Sequence, residues 1–261
     1  MRADLYLFSI VMTKSRQSAK TLIENGNVKI DGKLIKKPSF DVDENIEHNI
    51  EIVNKPKFVS RGGEKLEHAL NTFSVDVKDS VCVDIGASTG GFTDCLLQHG
   101  ASLVYAVDSG HNQLDSSIYD NDKVISIEKY NARFIDPEDF SKRFDIAVMD
   151  VSFISQTFIH QGINSILSEE GILITLIKPQ FECGKSALNS HGIVKNKSDH
   201  IKAINKVIDS AILSGFSCIN LTRSPIEGGS GNVEFLILLK KSNAPQNYIT
   251  DNKIKQIIQA K

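Results

Sequence analysis

The sequence has no C-x-x-C pair, no histidines at metal-ligand spacing, no long apolar run and no overall basic charge. Each absence removes a class of protein. Its four cysteines, Cys82, Cys95, Cys183 and Cys218, stand apart, each in or beside an apolar pattern. That usage fits reduced, mostly buried thiols in a cytosolic protein better than disulfides or zinc. The seven histidines are scattered, so no metal site is expected. No run approaches the ~20 apolar residues that span a bilayer. Leu5 to Met12 is apolar, but Asp4 precedes it, Lys14-Ser15-Arg16 ends it and no small-residue cleavage site follows, so it does not read as a signal peptide. The expected location is the cytoplasm. The net charge of −2 gives no global attraction to nucleic acid, so any RNA contact has to come from a local patch.

What is present is an α/β pattern organised around Val81-Cys-Val-Asp-Ile-Gly-Ala-Ser-Thr-Gly-Gly-Phe-Thr-Asp94. A short β-branched run ends at Asp84, a glycine-rich turn follows, and a helical pattern begins. Strand, tight loop and helix together bring a nucleotide-like ligand against backbone N–H groups at a helix N-terminus. Gly86, Gly90 and Gly91 let the backbone bend sharply and a ligand approach closely. The spacing is not G-x-G-x-x-G, and Ser88 and Thr89 add hydroxyls, which suits S-adenosylmethionine at least as well as NAD. Asp108 ends the next strand, about twenty residues on, where an acceptor for ribose hydroxyls belongs. Further strands are expected at 124–127, 144–149, 171–177, 217–221 and 233–239, with a long helix from about 198 to 213. Strands alternating with helices predict a doubly wound, mainly parallel sheet. Asp84, Asp108, Asp150 and Lys178 all fall at strand ends, so one rim should collect them.

Residues 1–54 read as a separate small α+β domain. The pattern predicts a short helix through Leu5, Phe8 and Ile10, then a helix from Arg16 to Asn25 with Ser15 as its cap and Gly26 as its stop. Asp31-Gly32 predicts a hairpin between 28–30 and 33–35, and a further strand is expected over 46–53. From Lys14 to Lys37 seven basic residues (Lys14, Arg16, Lys20, Lys29, Lys33, Lys36 and Lys37) face two acidic ones (Glu24 and Asp31). Arg16 and Lys20 share a helix face, which suits the phosphates of structured RNA. Residues 55–60 are read as a linker, 61–245 as the larger domain and 246–261 as a C-terminal tail.

Two lone charges stand out in the larger domain. Lys65 sits in the first turn of a helix, where the dipole disfavours a cation. Glu234 interrupts the apolar run 233–239 and needs a cationic partner if buried; Lys178 or Lys65 would serve.

Two resemblances add to this reading. Arg2-Ala-Asp4, Ser15-Arg16, Ala19-Lys20, Ile23, Gly26, Val28, Gly32 and Pro38 resemble the small RNA-binding domain named after ribosomal small-subunit protein four. That resemblance implies RNA contacts through Arg2, Lys14, Arg16, Lys20, Lys33, Lys36 and Lys37. Ser60-Arg-Gly-Gly-Glu-Lys65, Asp84 to Asp94, Asn131-Ala-Arg133, Asp150-Val-Ser-Phe-Ile-Ser155, Lys178-Pro-Gln-Phe-Glu182 and Gly231-Asn-Val-Glu-Phe235 resemble the FtsJ-like RNA ribose methyltransferases. The two domains together resemble the TlyA family, also called haemolysin A-like. The resemblance implies a Rossmann-like sheet with an antiparallel last strand, and S-adenosylmethionine-dependent 2′-O-methylation of ribosomal RNA at cytidines. It implies a catalytic tetrad of Lys65, Asp150, Lys178 and Glu234. It also implies cofactor contacts from Asp84, Gly86, Ser88, Thr89, Gly90, Gly91, Phe92, Asp108, Asn131 and Asp150. The chemistry assigns the base to Lys178, its orientation to Asp150, and positioning of the ribose to Lys65 and Glu234. The competing readings are a non-catalytic RNA-binding or assembly factor, a membrane-lytic protein and an NAD-dependent dehydrogenase.

Overall fold

A computed structural model describes residues 1–10, 12–13, 16–53 and 56–260. Lys14, Ser15 and the start of the expected linker lie outside the described residues. The chain divides into two compact units, Met1–Lys57 and Phe58–Lys261.

In the first unit, helices α1 (Ala3–Ser9) and α2 (Arg16–Glu24) pack on a small antiparallel sheet of β1 (Val28–Ile30), β2 (Lys33–Ile35) and β3 (Ile50–Ile52), in the order β2-β1-β3. Ala3, Leu7, Ala19, Ile23, Val28 and Ile35 form its core. Asp31 at φ 50° and Gly32 at φ 76° make the tight turn of the hairpin, as the Asp-Gly pair predicts. The strand expected from residue 46 begins only at Ile50. Asp43 accepts the Asn45 N–H at 3.1 Å, and the His48 ring bonds the Asp31 carboxylate at 2.6 Å. Those bonds make a turn at 44–45 and keep 46–49 out of the strand, an option that an Asx side chain opens to the backbone.

The second unit runs α3 (Gly62–Phe73), β4 (Val81–Ile85), α4 (Gly91–Gln98), β5 (Leu103–Val107), α5 (Ser116–Tyr119), β6 (Val124–Ile127), β7 (Phe144–Met149), α6 (His160–Ile166), β8 (Leu167–Ile177), α7 (Pro179–Glu182), α8 (Lys197–Leu213), β9 (Phe216–Arg223), β10 (Phe235–Lys241) and α9 (Asp251–Gln259). The seven strands lie in the order β6-β5-β4-β7-β8-β10-β9. The first five are parallel, and β10 inserts antiparallel between β8 and β9. Val83, Ile85, Ala147 and Ile177 pack on one face of the sheet, and Cys82, Val104, Ile146 and Leu176 on the other. Burial on both faces is why these strands read as unbroken apolar runs.

The second unit also differs from the sequence reading, first in β8, which begins at Leu167 and not at 171. Residues 246–261, read as a tail, contain α9, whose Ile254 and Ile258 join the core. The Thr250 hydroxyl caps it by accepting the Lys253 N–H at 3.2 Å. The final strand starts at Phe235, so Glu234 stands just before it. Among the described residues no helix is long and apolar enough to cross a membrane.

Candidate active site

The sheet register sets the site. Ile85 pairs with Met149, so Gly86 and Asp150 leave the sheet side by side, and the Asp150 N–H donates to the Ile85 carbonyl at 3.0 Å. Gly86 sits at φ 85°, and a Cβ there would lie 2.6 Å from the Asp150 carbonyl oxygen. Only glycine fits that approach. Phe235 pairs with Ile177, which brings Glu234 and Lys178 to the same rim from strands far apart in sequence.

Two cavities meet at this rim and share Gly86, Ser88, Asp150 and Ser152. One, of about 280 Å³, is lined by Arg61, Lys65, Thr89, Gly91, Phe92 and Lys178 among others. The second, of about 370 Å³, is lined by Asp108, Tyr130, Asn131, Phe153, Ile154 and their neighbours. A charged chamber therefore adjoins a more apolar one across Gly86 and Asp150.

The four charged residues form two ion pairs. Lys65 Nζ donates to Glu234 Oε2 at 2.6 Å, with both side chains buried. Lys178 Nζ lies 2.6 Å from Asp150 Oδ1 and donates to Ser152 Oγ at 2.7 Å. That ion pair is the contact that holds Asp150 Oδ1 among the described residues. Lys65, Lys178 and Asp150 face the first cavity; Glu234 stands behind Lys65 and is absent from the cavity wall.

Asp84 and Gly90 also lie off the walls of both cavities. Asp84 is fully buried and accepts the Thr93 N–H at 2.9 Å and the Thr93 hydroxyl at 2.7 Å, which anchors the start of α4. Its other oxygen, Oδ1, has no partner among the described residues. Burial pushes this carboxyl up to about 7; the Thr93 hydroxyl pulls against that, and the charge of Asp150 adds to it. Asp108 accepts the Ser88 N–H at 2.8 Å and the Gly110 N–H at 2.6 Å, so it braces the glycine loop while facing the second cavity. Asn131 accepts the Arg133 N–H at 3.1 Å.

Asp84 gives the unit a pH dependence with a definite sign. Between the ordinary ~4 of an aspartate and about 7, the folded protein holds a proton that the unfolded chain releases. This contribution to stability is complete below pH ~4 and is lost as pH rises through about 7. Asp84→Asn keeps the acceptor for Thr93 and does not titrate. The variant should gain on the order of 2 kcal/mol relative to the parent between pH 5 and pH 8. Urea unfolding at the two pH values measures this, and a gap independent of pH refutes it.

Sequence reading missed Arg61, Ser152 and Phe153. Ser152 and Phe153 were visible inside Asp150-Val-Ser-Phe-Ile154 but carried no separate signal. Phe153 is 92% exposed at φ 63°, with its ring 5.4 Å from that of Phe181. A bulky residue in that backbone region is uncommon.

In the first unit the expected basic face is partly self-neutralised. The buried Asp4 accepts from Arg2 Nε and from Arg16 Nε, each at 2.9 Å, and those guanidiniums hold its carboxyl down at about 2. Lys20 pairs with Glu24 at 3.8 Å. Lys33 lies over the Phe40 ring at 5.1 Å, and Lys36 and Lys37 are exposed.

Comparison with known proteins accords with both units. The FtsJ-like methyltransferase family model matches residues 58–241, and the S4 domain model matches residues 1–47. Hemolysin A of Brachyspira hyodysenteriae is 43% identical over 237 residues, covering 90% of this chain and 98% of that protein. A Mycobacterium tuberculosis protein named 16S/23S rRNA (cytidine-2′-O)-methyltransferase TlyA is 36% identical over 239 residues, covering 92% and 89%. The solved structure of a hemolysin-named protein from Streptococcus thermophilus superposes with a TM-score of 0.80 at 41% identity, covering 99% of this chain and 94% of that one. The chain belongs to the FtsJ-like methyltransferase family, with an S4 domain at its N-terminus.

Proposed function

We propose that this protein methylates the 2′-hydroxyl of a cytidine ribose in ribosomal RNA, using S-adenosylmethionine, and does so in the cytoplasm where ribosomal subunits are made. The observation that carries the reading is the Lys178–Asp150 pair at the junction of two cavities, 2.6 Å apart and beside Gly86. The M. tuberculosis relative, whose name states this activity on both 16S and 23S RNA, supports it.

The second cavity fits the cofactor. Asp108 offers a carboxylate where ribose hydroxyls need an acceptor, Tyr130 and Ile154 offer apolar surface, and Gly86 leaves no side chain in the way. Asp108 and Asp150 line this cavity and give it a negative wall suited to a sulfonium cation. Ser88, Thr89, Gly90, Gly91 and Phe92 supply the loop and the start of α4. Bound there, S-adenosylmethionine supplies an electrophilic methyl group.

This chain's residues do the rest. A ribose hydroxyl is a weak nucleophile until a base takes its proton. Lys178 takes that proton as the neutral amine, after its own ammonium proton has left to water in the cleft, and Asp150 with Ser152 fixes where the nitrogen stands. Lys65 reaches the same chamber and positions the ribose or its phosphate. Glu234 acts through Lys65, holding its ammonium from behind. The barrier falls mainly through alignment, because the reacting groups arrive already oriented. In the S4 domain, Arg2, Arg16, Lys20, Lys33, Lys36 and Lys37 offer phosphate contacts, with Lys14 beside them in sequence.

The test is transfer of a labelled methyl group to purified ribosomal subunits, followed by mapping of ribose methylation in RNA from cells with and without the gene. Label appearing at a cytidine 2′-oxygen is the expected result. No label on either subunit, with unchanged maps, sinks the proposal.

A further inference from the structure

The segments that carry Asp150 and Lys178 are joined twice. At the cleft they meet through the Lys178 amine. A few residues further along each segment they meet again, at the buried carboxylate of Glu182. Glu182 accepts the Ser155 hydroxyl at 2.5 Å and the Gln156 N–H at 2.9 Å, both from the segment after β7. Lys206 of α8 adds its ammonium at 3.0 Å from Glu182 Oε2 and 3.2 Å from Ser155 Oγ. Gln156 in turn accepts the Thr175 hydroxyl at 2.8 Å and donates to the Leu176 carbonyl at 3.2 Å, both on the strand that leads to Lys178. Ser155, Glu182 and Lys206 are absent from the walls of both cavities.

We propose that Glu182 is a positioning residue for methyl transfer: with Ser155 and Gln156 it locks the Asp150 segment to the Lys178 segment and so sets the geometry of the reacting pair. The inference rests on the methyl-transfer reading given above.

Three observations support it. The sheet register places the backbones of Asp150 and Lys178, but residues 151–155 contain no helix or strand and α7 is a single turn, so the stretch that brings Ser152 to the Lys178 amine is not held by regular backbone bonding. Phe153 holds φ 63° inside this stretch, a conformation that persists only when the flanks over-determine it. One flank is pinned by the Asp150 N–H on Ile85, the other by Ser155 on Glu182. Finally, a buried carboxylate is a costly way to fill a core, and apolar packing is often at least as stable. A fully satisfied polar network instead specifies one arrangement of its members.

The experiment uses the full-length protein with labelled S-adenosylmethionine and ribosomal subunits. Glu182→Ala should lower kcat about 100-fold, the scale of a 1 Å misplacement. Its KM values for both substrates should stay within about twofold of the parent. Ser155→Ala should lose about tenfold in kcat, while Ser155→Thr, which keeps the hydroxyl, should turn over like the parent. The pH–rate profile of Glu182→Ala should shift along the pH axis as the Asp150–Lys178 pair loosens; that of Ser155→Thr should superimpose on the parent's. Wild-type kcat in Glu182→Ala overturns the clamp. So does a loss of turnover matched by an equal loss of S-adenosylmethionine binding and of folded protein. Hydrogen exchange reads the clamp without turnover: amides of 151–156 should exchange faster in Glu182→Ala, and those of 84–94 should not. Unchanged or uniformly faster exchange overturns it. A parent protein that transfers no methyl group would instead sink the methyl-transfer reading, with the exchange result still deciding the clamp.

Discussion

Lys178→Met should lower kcat for methyl transfer by about 10³-fold, within the range that a positioned base contributes. Binding of S-adenosylmethionine should survive. The Lys178 amine lines the charged chamber and not the one assigned to the nucleoside. Stability should also survive, because the Asp150 carboxylate left behind is 21% exposed and can take water in place of the amine. The informative companion is Lys178→Arg. Arginine keeps a cation beside Asp150 but gives up no proton at any working pH. If Lys178 is the base, the arginine variant is as dead as the methionine one. If the amine serves only as a fixed charge, arginine restores much of the activity, and the assignment of the base fails. Single-turnover transfer of labelled methyl, with calorimetric titration of S-adenosylmethionine into each variant, separates the two.

The strands were legible because their chemistry is local. Val124–Ile127 and Phe144–Met149 are bounded as their apolar runs suggest. Asp31-Gly32 determines its own turn, and Gly26 at φ 69° ends α2. Acidic residues at strand ends pointed to the rim before any topology was known. What stayed hidden is relational. Lys65 could have paired with Asp150, and Lys178 with Glu234. The choice follows from the place of β10 between β8 and β9, a long-range pairing that leaves no trace in local periodicity. Asp84 read as a ligand contact because it ends a strand beside a glycine loop, yet its carboxylate faces Thr93 beneath that loop. Ile254, Ile257 and Ile258 in α9 did carry helical spacing. Their charged and amide neighbours masked it, and the packing of Ile254 and Ile258 in the core resolves it.

Glu234→Ala should be the most destabilising change at the site. The Glu234 side chain is 2% exposed and that of its partner Lys65 is 9% exposed. Removing the carboxylate leaves the buried Lys65 ammonium without its counter-ion, which costs roughly 3–5 kcal/mol when one member of a buried pair is deleted. For a unit of this size that is a fall in Tm of roughly 10 °C. The loop before β10 offers little relief. It wraps the carboxylate so closely that a Cβ on Gly228 would lie 2.4 Å from Glu234 Oε1. Removing both charges has the opposite effect on stability. Lys65→Met with Glu234→Leu replaces the pair by apolar groups of similar volume, an exchange that is often neutral or stabilising. The double variant should therefore recover Tm to near the parent value while its methyl transfer stays lost. Recovery of fold without recovery of activity would mean that the buried pair is kept for what Lys65 does in the cleft. A double variant that is both stable and active would reduce Lys65 and Glu234 to scaffolding and leave Lys178 and Asp150 as the whole of the reacting machinery.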